Sequence, residues 1–339
     1  MRIALLLVAA TAALLLAACG DSANTDADVE LTPPGQAPTD MIGTATNDAG
    51  PRLSLAQWSL HKRYLPEGVM GGTGAGDPYD FPADAKALGF EGVEYVSQLY
   101  AADLKPGAEH AASVMAVQQR LREAAEAAGI EEVLIMIDRE GDLASPDAET
   151  RAAAVVNHRH WIDAASASGI PTVRVNLSGE GSKDAMHRAA VESLTQLGRY
   201  AAGTSPAVNV VVENHGGYSS DPAWLRDVMA AVGLANVGIL PDFGNFCRDG
   251  WPGDCRSWVP RDSSYVAVGM WMPYAHAVSA KSYAFDADGD ETTIDYARML
   301  DTVRAHGYTG FIGVEYEGDA PEEEGIAATK ALIERNLRG

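Results

Sequence analysis

Three carboxylates in this chain each follow a short apolar run of the kind that forms buried strands, and this recurrence constrains the fold most strongly. They are Glu213, Asp242 and Glu315. Helix-length segments separate the three runs, which is typical of parallel strands whose carboxyl ends meet at one rim of a barrel. Carboxylates on such a rim can bind a divalent cation and can move protons beside a carbonyl group.

Short aliphatic or β-branched runs alternate with longer amphipathic segments from residue 51 onward, as in repeated strand-helix units. We predict eight strands, at residues 53–58, 92–96, 132–137, 172–176, 209–213, 238–241, 276–280 and 310–315. Helices are predicted at residues 110–128, 146–168, 184–202, 222–231, 294–305 and 321–337. Prolines and glycines in the stretch 251–271 predict a loop and a short helix there. Eight units close a (β/α)8 TIM barrel, so we expect one α/β domain over residues 51–339.

The N-terminal segment has the pattern of a secretory signal, with Arg2 followed by an apolar run over residues 3–16. The next residues complete Leu-Ala-Ala-Cys, which resembles the bacterial lipobox and implies a signal peptide over residues 1–18 and a lipidated Cys19. A membrane-spanning helix needs about 20 apolar residues, and this run is shorter. Residues 19–50 are predicted to be a disordered tether. We therefore expect an exported lipoprotein, held by its lipid alone, that faces the periplasm or the cell exterior.

The charge balance argues against one class of partner. Lysine and arginine number 25 against 47 aspartates and glutamates, a formal net charge of −22. Such a surface repels phosphate backbones and anionic lipid, so no nucleic-acid partner is expected.

Two cysteines lie close together after the Asp242 run. An exported protein meets oxidising conditions, so a disulfide between Cys247 and Cys255 is a candidate. A zinc site built from the same pair is less favoured, because no histidine or further cysteine stands nearby at zinc spacing.

Six stretches carry a family resemblance: residues 53–62 (LSLAQWSLHK), 174–176 (RVN), 213–217 (ENHGG), 240–246 (LPDFGNF), 278–282 (VSAKS) and 313–318 (GVEYEG). With these stretches the chain resembles the xylose-isomerase-like barrel superfamily of sugar epimerases, inosose dehydratases and isomerases, and apurinic endonucleases. More narrowly, it resembles the exported sugar phosphate isomerase/epimerase-like branch.

The resemblance implies a divalent metal, Mn, Mg, Co or Zn, held by carboxylates on the fifth, sixth and eighth strands and a histidine on the seventh. Glu213, Asp242 and Glu315 match the carboxylate positions, but Ser279 replaces the histidine. His215, water or substrate is one candidate to complete the site. The alternative is a degraded site in which Lys281 supplies the positive charge.

The resemblance also implies catalytic roles. Glu213 and Glu315 would exchange protons with the carbon beside a carbonyl, Asp242 would be a ligand only, and Lys281 would hydrogen-bond the developing oxyanion. Polar and aromatic residues at or near strand ends are predicted to bind substrate, with an internal ion pair as the alternative for the arginine and a core position for the tryptophan: Trp58, His61, Lys62, Glu94, Arg174, Asn176, Asn214 and Asn245.

The function expected from this pattern is a metal-assisted isomerase or epimerase of a sugar, keto-sugar or cyclitol. A lyase or dehydratase on a 3-keto-glycoside or inosose begins with the same proton abstraction. A carbohydrate-binding lipoprotein without chemistry is the third possibility, because the histidine is missing at Ser279. The expected partner is a small carbohydrate, and oligomerisation is left open.

Overall fold

The structure is a computed structural model that describes residues 50–250 and 255–338. Within them, eight parallel strands form one sheet, in the hydrogen-bonded order β6-β5-β4-β3-β2-β1-β8-β7. The strands are β1 (Arg52–Ala56), β2 (Gly92–Val96), β3 (Glu131–Met136), β4 (Thr172–Val175), β5 (Asn209–Glu213), β6 (Val237–Leu240), β7 (Val278–Ser282) and β8 (Phe311–Tyr316).

Isolated parallel bridges join the two edge strands of this sheet and close it into a barrel. Ile239 pairs with Ala275, and Asp242 pairs with Ser279. The backbone amide of Ser279 donates to the Pro241 carbonyl at 3.0 Å, and the amide of Phe243 donates to the Ser279 carbonyl at 3.1 Å. Closure brings β6 beside β7, so the ends of β5, β6, β7 and β8 form one continuous arc.

A helix follows each strand and covers the outside of the barrel. These helices are α1 (Phe81–Ala87), α2 (His110–Ala128), α3 (Ala148–Ser168), α4 (Lys183–Ala202), α5 (Pro222–Val232), α6 (Arg261–Trp271), α7 (Tyr296–Ala305) and α8 (Glu322–Leu337). Their inner faces and the strands share one hydrophobic core.

Several helices begin and end where side-chain chemistry requires. The side chains of Asp147 and Asp221 accept hydrogen bonds from backbone amides in the first turns of α3 and α5. Both helices end at a glycine in the left-handed conformation, Gly169 at φ 81° and Gly233 at φ 59°. Side-chain caps satisfy amides that have no partner within the helix, and glycine adopts this conformation without a Cβ clash.

The predicted fold class is confirmed, and most predicted strands lie within two residues of the observed ones. β7 begins two residues later than predicted, at Val278, and a 3-10 turn over residues 272–274 precedes it. The short α1 was not predicted from the sequence. The predicted signal peptide, Cys19 and the tether up to residue 49 lie outside the described residues.

The β6–α6 connection contains a two-stranded antiparallel hairpin, Cys247–Asp249 with Ser257–Trp258. Cys247 and Cys255 are joined by a disulfide, as predicted. Among the described helices, none combines the length and apolar character that crossing a membrane demands.

Candidate active site and metal centre

Three buried carboxylates converge where the arc of strand ends closes. One oxygen each from Glu213, Asp242 and Glu315 lies within 4.8 Å of the other two. Glu213 is the last residue of β5, Glu315 lies near the end of β8, and Asp242 follows β6 by two residues. The three carboxylates that head the sequence pattern therefore share one site, as the barrel prediction requires.

Ser279 of β7 occupies the gap between two of these carboxylates. Its Oγ lies 2.6 Å from Asp242 Oδ2 and 2.9 Å from Glu315 Oε2. A hydroxyl carries one proton and can donate to only one of these oxygens at a time. The second contact needs a further proton or a cation nearby, because two lone pairs otherwise face each other.

Lys281 contacts Glu315 from its other side. Its Nζ lies 3.4 Å from Glu315 Oε1, 3.1 Å from Glu317 Oε1 and 3.2 Å from Asn245 Oδ1. The contacts with Glu317 and Asn245 are hydrogen bonds, and the contact with Glu315 is an ion pair. The ammonium is buried, and although burial lowers its pKa, Glu315 and Glu317 raise that pKa well above its ordinary value. Lys281 is therefore a fixed positive charge.

Asn245 connects this lysine to the other glutamate. Its Oδ1 accepts from Lys281, and its Nδ2 donates to Glu213 Oε1 at 2.8 Å. Its own backbone amide donates to Asp242 Oδ1 at 2.7 Å. Asn245 is buried, and these bonds show it orienting Glu213 and Asp242, whereas the sequence predicted a substrate contact.

Asn214 has a similar internal position. Its amide nitrogen donates to the carbonyls of Asp242 and Asn245, both at 3.1 Å, and its Oδ1 accepts from the Asp242 amide at 2.8 Å. The side chain is fully buried and joins the β5 and β6 ends. It shapes the Asp242 turn, and this differs from the predicted substrate contact.

Arg174 of β4 is the second buried cation. Its Nη1 donates to Asp138 Oδ1 at 2.7 Å, and its Nε lies 2.9 Å from Glu213 Oε2 in an ion pair that lacks hydrogen-bond geometry. Of the two roles considered for Arg174, the structure shows the internal ion pair. Asn176 donates to the same Asp138 oxygen at 2.7 Å, and its own Oδ1 has no partner among the described residues.

Burial dominates the electrostatics of the carboxylate cluster. It raises the pKa of Asp242 to about 6 and the pKa of Glu315 to about 8, although Lys281 opposes both increases. Burial likewise raises the pKa of Glu213, against the opposing charges of Arg174 and Lys281. Carboxylates kept from ionising in this way have a strong requirement for another positive charge.

The donor chemistry of the cluster fits a divalent cation. Three carboxylates supply oxygen, the donor that magnesium and manganese prefer, and the opposed pairs of a six-coordinate ion at about 2.1 Å would lie roughly 4.2 Å apart. One oxygen from each of Glu213, Asp242 and Glu315 lies within 4.8 Å of the other two, close to this spacing. A bound cation would also offset the burial that raises the pKa of these carboxyl groups.

Neither His215 nor His276 belongs to the cluster formed by Glu213, Asp242 and Glu315. His215 is absent from the set of converging ligand atoms in the described residues, so the structure does not support it as the predicted fourth ligand. Burial and then Arg174 lower the pKa of His215 to about 4. His276 precedes β7, and its Nε2 lies 3.1 Å from the Ala235 carbonyl, so this ring nitrogen faces the opposite end of the barrel.

The residues predicted near the first strand end lie in a 3-10 helix, Gln57–Leu60, and a one-turn α-helix, His61–Tyr64, that follow β1. The rings of Trp58 and His61 stack with centroids 4.6 Å apart, and His61 Nδ1 lies 2.7 Å from the Trp58 carbonyl. Lys62 Nζ donates to the Gly318 carbonyl at 3.0 Å. The lysine contact ties this segment to the loop after β8, and Trp58 remains partly exposed.

Glu94 lies deeper in the barrel than predicted. It is 1% exposed and accepts a hydrogen bond from Ser54 Oγ at 2.6 Å, while its Oε2 has no partner among the described residues. A Cβ added to Gly313 would come within 2.5 Å of the Glu94 carboxylate. Glu94 therefore belongs to an interior layer between β1, β2 and β8, beneath the strand ends.

We expect Glu94→Gln to stabilise the protein at pH 8 but hardly at pH 4. Burial raises the pKa of Glu94 to about 7 from an ordinary 4.5. The folded state therefore retains a proton that the unfolded chain releases, so the stabilising contribution of Glu94 is complete below pH 4.5 and is lost as the pH rises to about 7. Glutamine has no such dependence. Urea unfolding of both proteins from pH 4 to pH 8 measures the difference, and a constant difference would contradict this electrostatic origin.

Two site residues were missed by sequence reasoning. Glu317 pairs with Lys281, and the lysine lowers its pKa despite the opposing effect of burial. The alternation of side chains along β8 could have identified it, because Glu317 follows Glu315 by two positions. Tyr283 has a buried hydroxyl without a partner among the described residues, packed so close to Gly244 that a Cβ there would lie 2.6 Å from it. No sequence signal marks that contact.

Comparison with known proteins agrees with this architecture. The family model of the xylose isomerase-like TIM barrel matches residues 82–335. Among curated proteins, no sequence match is found. The solved structure of 3-keto-D-glucoside 4-epimerase from E. coli aligns at a TM-score of 0.60 and 15% identity, covering 83% of this chain and 98% of that one.

Two further solved structures share the fold. D-psicose 3-epimerase aligns at a TM-score of 0.63 and 15% identity, covering 85% of this chain and 100% of that one. A xylose isomerase-like TIM barrel protein from Mycobacterium smegmatis, in complex with magnesium, aligns at 0.59 and 17% identity, covering 86% and 97%. Since the family model spans well over half of the sequence and the barrel is complete, the chain belongs to the xylose isomerase-like TIM barrel family.

Proposed function

We propose that this protein is a divalent-metal-assisted isomerase or epimerase that acts on a sugar, keto-sugar or cyclitol by proton transfer beside a carbonyl. The observation that carries the proposal is the pair of buried glutamates, Glu213 and Glu315, in one carboxylate cluster with Asp242. The names of the solved structures with the same fold, sugar epimerases among them, point to the same chemistry.

The two glutamates stand at opposite ends of the arc from β5 to β8. One takes the proton from the carbon beside the carbonyl, and the other returns a proton, which inverts the centre when the two act on opposite faces. Burial suits both tasks, because it raises the pKa of Glu315 to about 8 and also raises that of Glu213. Such groups can hold and release a proton near neutral pH.

The surrounding cations and amides hold the glutamates in place. Lys281 forms an ion pair with Glu315 and donates a hydrogen bond to Asn245, and Asn245 donates one to Glu213, so these contacts link both glutamates. Arg174 holds Glu213 from the opposite side. This rigidity matters because proton transfer requires positioned partners.

Glu213, Asp242 and Glu315 would hold the cation, which, when bound, stabilises negative charge that develops on the substrate carbonyl oxygen. Lys281 is a fixed charge beside Glu315 and adds to the positive potential at the site. The Oδ1 of Asn176 and the hydroxyl of Tyr283 are buried and have no partner among the described residues, so we infer that they pair with substrate hydroxyls.

A lyase or dehydratase is the second candidate, and the raised pKa of Glu315 favours it. An acid that remains protonated near pH 7 can protonate a departing hydroxyl or alkoxide after the first proton is removed. The products distinguish the two reactions, because epimerisation conserves mass and elimination releases water or an alcohol.

The test is solvent deuterium incorporation into a panel of free ketohexoses, inososes and 3-keto-glycosides, followed by NMR. We expect exchange at a carbon beside the carbonyl of at least one compound, with manganese or magnesium present and not after chelation. If exchange is equally fast after chelation, the protein transfers protons without a metal, and the metal-assisted part of the proposal is wrong. No exchange with any compound under either condition would oppose the proposed chemistry.

We also propose that the protein is exported and lipid-anchored through Cys19. The disulfide between Cys247 and Cys255 supports export, because disulfides persist in oxidising compartments. Cell fractionation of wild type and Cys19→Ala tests the anchor. Membrane association that survives the substitution would contradict it.

A further inference from the structure

Ser279 occupies the position on β7 where the family resemblance implies a metal-binding histidine. The residue is 1% exposed. It pairs with Asp242 on one side through an isolated bridge and with Gly313 of β8 on the other. Its side chain is therefore enclosed between the strands that supply Asp242 and Glu315.

The hydroxyl contacts one oxygen of each of these carboxylates. The distances are 2.6 Å to Asp242 Oδ2 and 2.9 Å to Glu315 Oε2. Lys281 lies 3.4 Å from the other oxygen of Glu315, Oε1. Because the hydroxyl proton serves only one of the two contacts, a lone pair of the Ser279 oxygen faces the other carboxylate oxygen, and a cation bound by both oxygens would relieve that repulsion.

The identity of this donor determines which cations the site can distinguish. Imidazole and thiolate favour zinc and cobalt, whereas hydroxyl and carboxylate oxygens suit magnesium and manganese. With Ser279, all four protein donors are oxygens. Without a nitrogen or sulfur donor, the site should show a smaller preference for zinc over manganese in binding affinity than a site with a histidine would.

We propose that the Ser279 hydroxyl is the fourth protein ligand of the metal centre and makes it an oxygen-only site for a hard cation of the magnesium and manganese class. This inference rests on the proposed metal-assisted function, and it adds a ligand and a selectivity to that function. Ser279 determines selectivity because it is the donor atom that differs from the histidine expected by resemblance.

The test compares wild type with Ser279→Cys and Ser279→Ala. Cysteine nearly preserves the size of serine and exchanges oxygen for sulfur, and alanine removes the donor without adding bulk. Each metal alone, Mg²⁺, Mn²⁺ or Zn²⁺, is titrated into metal-free protein and followed by calorimetry, with far-UV circular dichroism to verify folding. Asp242→Asn is the control that removes a carboxylate donor.

We expect Ser279→Cys to raise the ratio of zinc to manganese affinity on the order of tenfold or more, because a thiolate is a softer donor. Ser279→Ala should weaken manganese and magnesium binding without favouring zinc. If both folded variants bind all three metals as wild type does, while Asp242→Asn loses them, the hydroxyl is not a ligand and the carboxylate centre stands. If wild type binds none of the metals, the metal-assisted function itself is wrong, and the inference with it.

Discussion

Glu315→Gln is expected to reduce solvent deuterium exchange into the substrate by about 10²–10⁴-fold, the range that a positioned acid or base contributes. Glutamine has nearly the same shape as glutamate but cannot accept the substrate proton. The Ser279 hydroxyl can still donate to the amide oxygen, so the fold should be preserved. NMR of the exchange, with circular dichroism of the variant, measures both properties.

Glu132→Gln is the matched control for this prediction. Glu132 is partly buried, and this burial raises its pKa to about 7, but it lies near the start of β3 and accepts a hydrogen bond from Gln118. Its exchange rate should equal that of wild type. Full exchange in Glu315→Gln would remove Glu315 from the mechanism, and an equal loss in both variants would show that the effect is not specific to the site.

Arg174→Met is expected to lower the free energy of unfolding by about 3–5 kcal/mol, the usual cost of breaking a buried ion pair from one side. Arg174 contacts both Asp138 and Glu213, and all three side chains are largely buried. Methionine leaves the two carboxylates without this cation in a region of low dielectric constant. Urea unfolding at pH 7 measures the loss.

Arg122→Met provides the matched control on the surface. Arg122 pairs with Glu126 on α2, and both side chains are substantially exposed. Exposed pairs contribute little because water screens their charges, so this variant should unfold nearly as wild type does. A small effect of Arg174→Met, similar to the control, would mean that water or another cation compensates for the arginine, contrary to the buried ion pair.

Convergence of the carboxylates was predictable because it depends on features that are local in sequence. Strand-like runs that end in Glu213, Asp242 and Glu315 specify parallel strands, and a barrel of such strands necessarily brings their carboxyl ends to one rim. Alternation along β7 likewise predicts that Ser279 and Lys281 share a face, and the contacts of both residues agree with it.

The depth of side chains inside the barrel could not be predicted in the same way. It depends on the stagger between strands, which places Ala56 beside Glu94 and Ser54 beside Gly313. The sequence places Glu94 near a strand end, but β2 continues to Val96 and the carboxylate lies in an interior layer.

The hydrogen bonds of loop side chains were likewise not predictable from the sequence. Asn214 and Asn245 follow strand ends, as substrate-binding residues often do. In the structure, the side-chain amide of Asn214 donates to the Asn245 carbonyl, and that of Asn245 donates to the Glu213 carboxylate. Whether a loop amide faces the substrate or its neighbours depends on turn geometry, which no periodic pattern reports. The same holds for the contact of Tyr283 with Gly244.

The measurement that most directly tests metal-assisted proton transfer is the metal content of the purified protein, prepared without chelator, beside Asp242→Ala. Asp286→Ala is the control, because Asp286 lies in an exposed acidic turn and its Oδ1 accepts from backbone amides of that turn. We predict about one manganese or magnesium per chain in wild type and in Asp286→Ala, and none in Asp242→Ala. Equal metal in all three proteins, or no metal in wild type even after manganese is added, would contradict a metal centre at Glu213, Asp242 and Glu315.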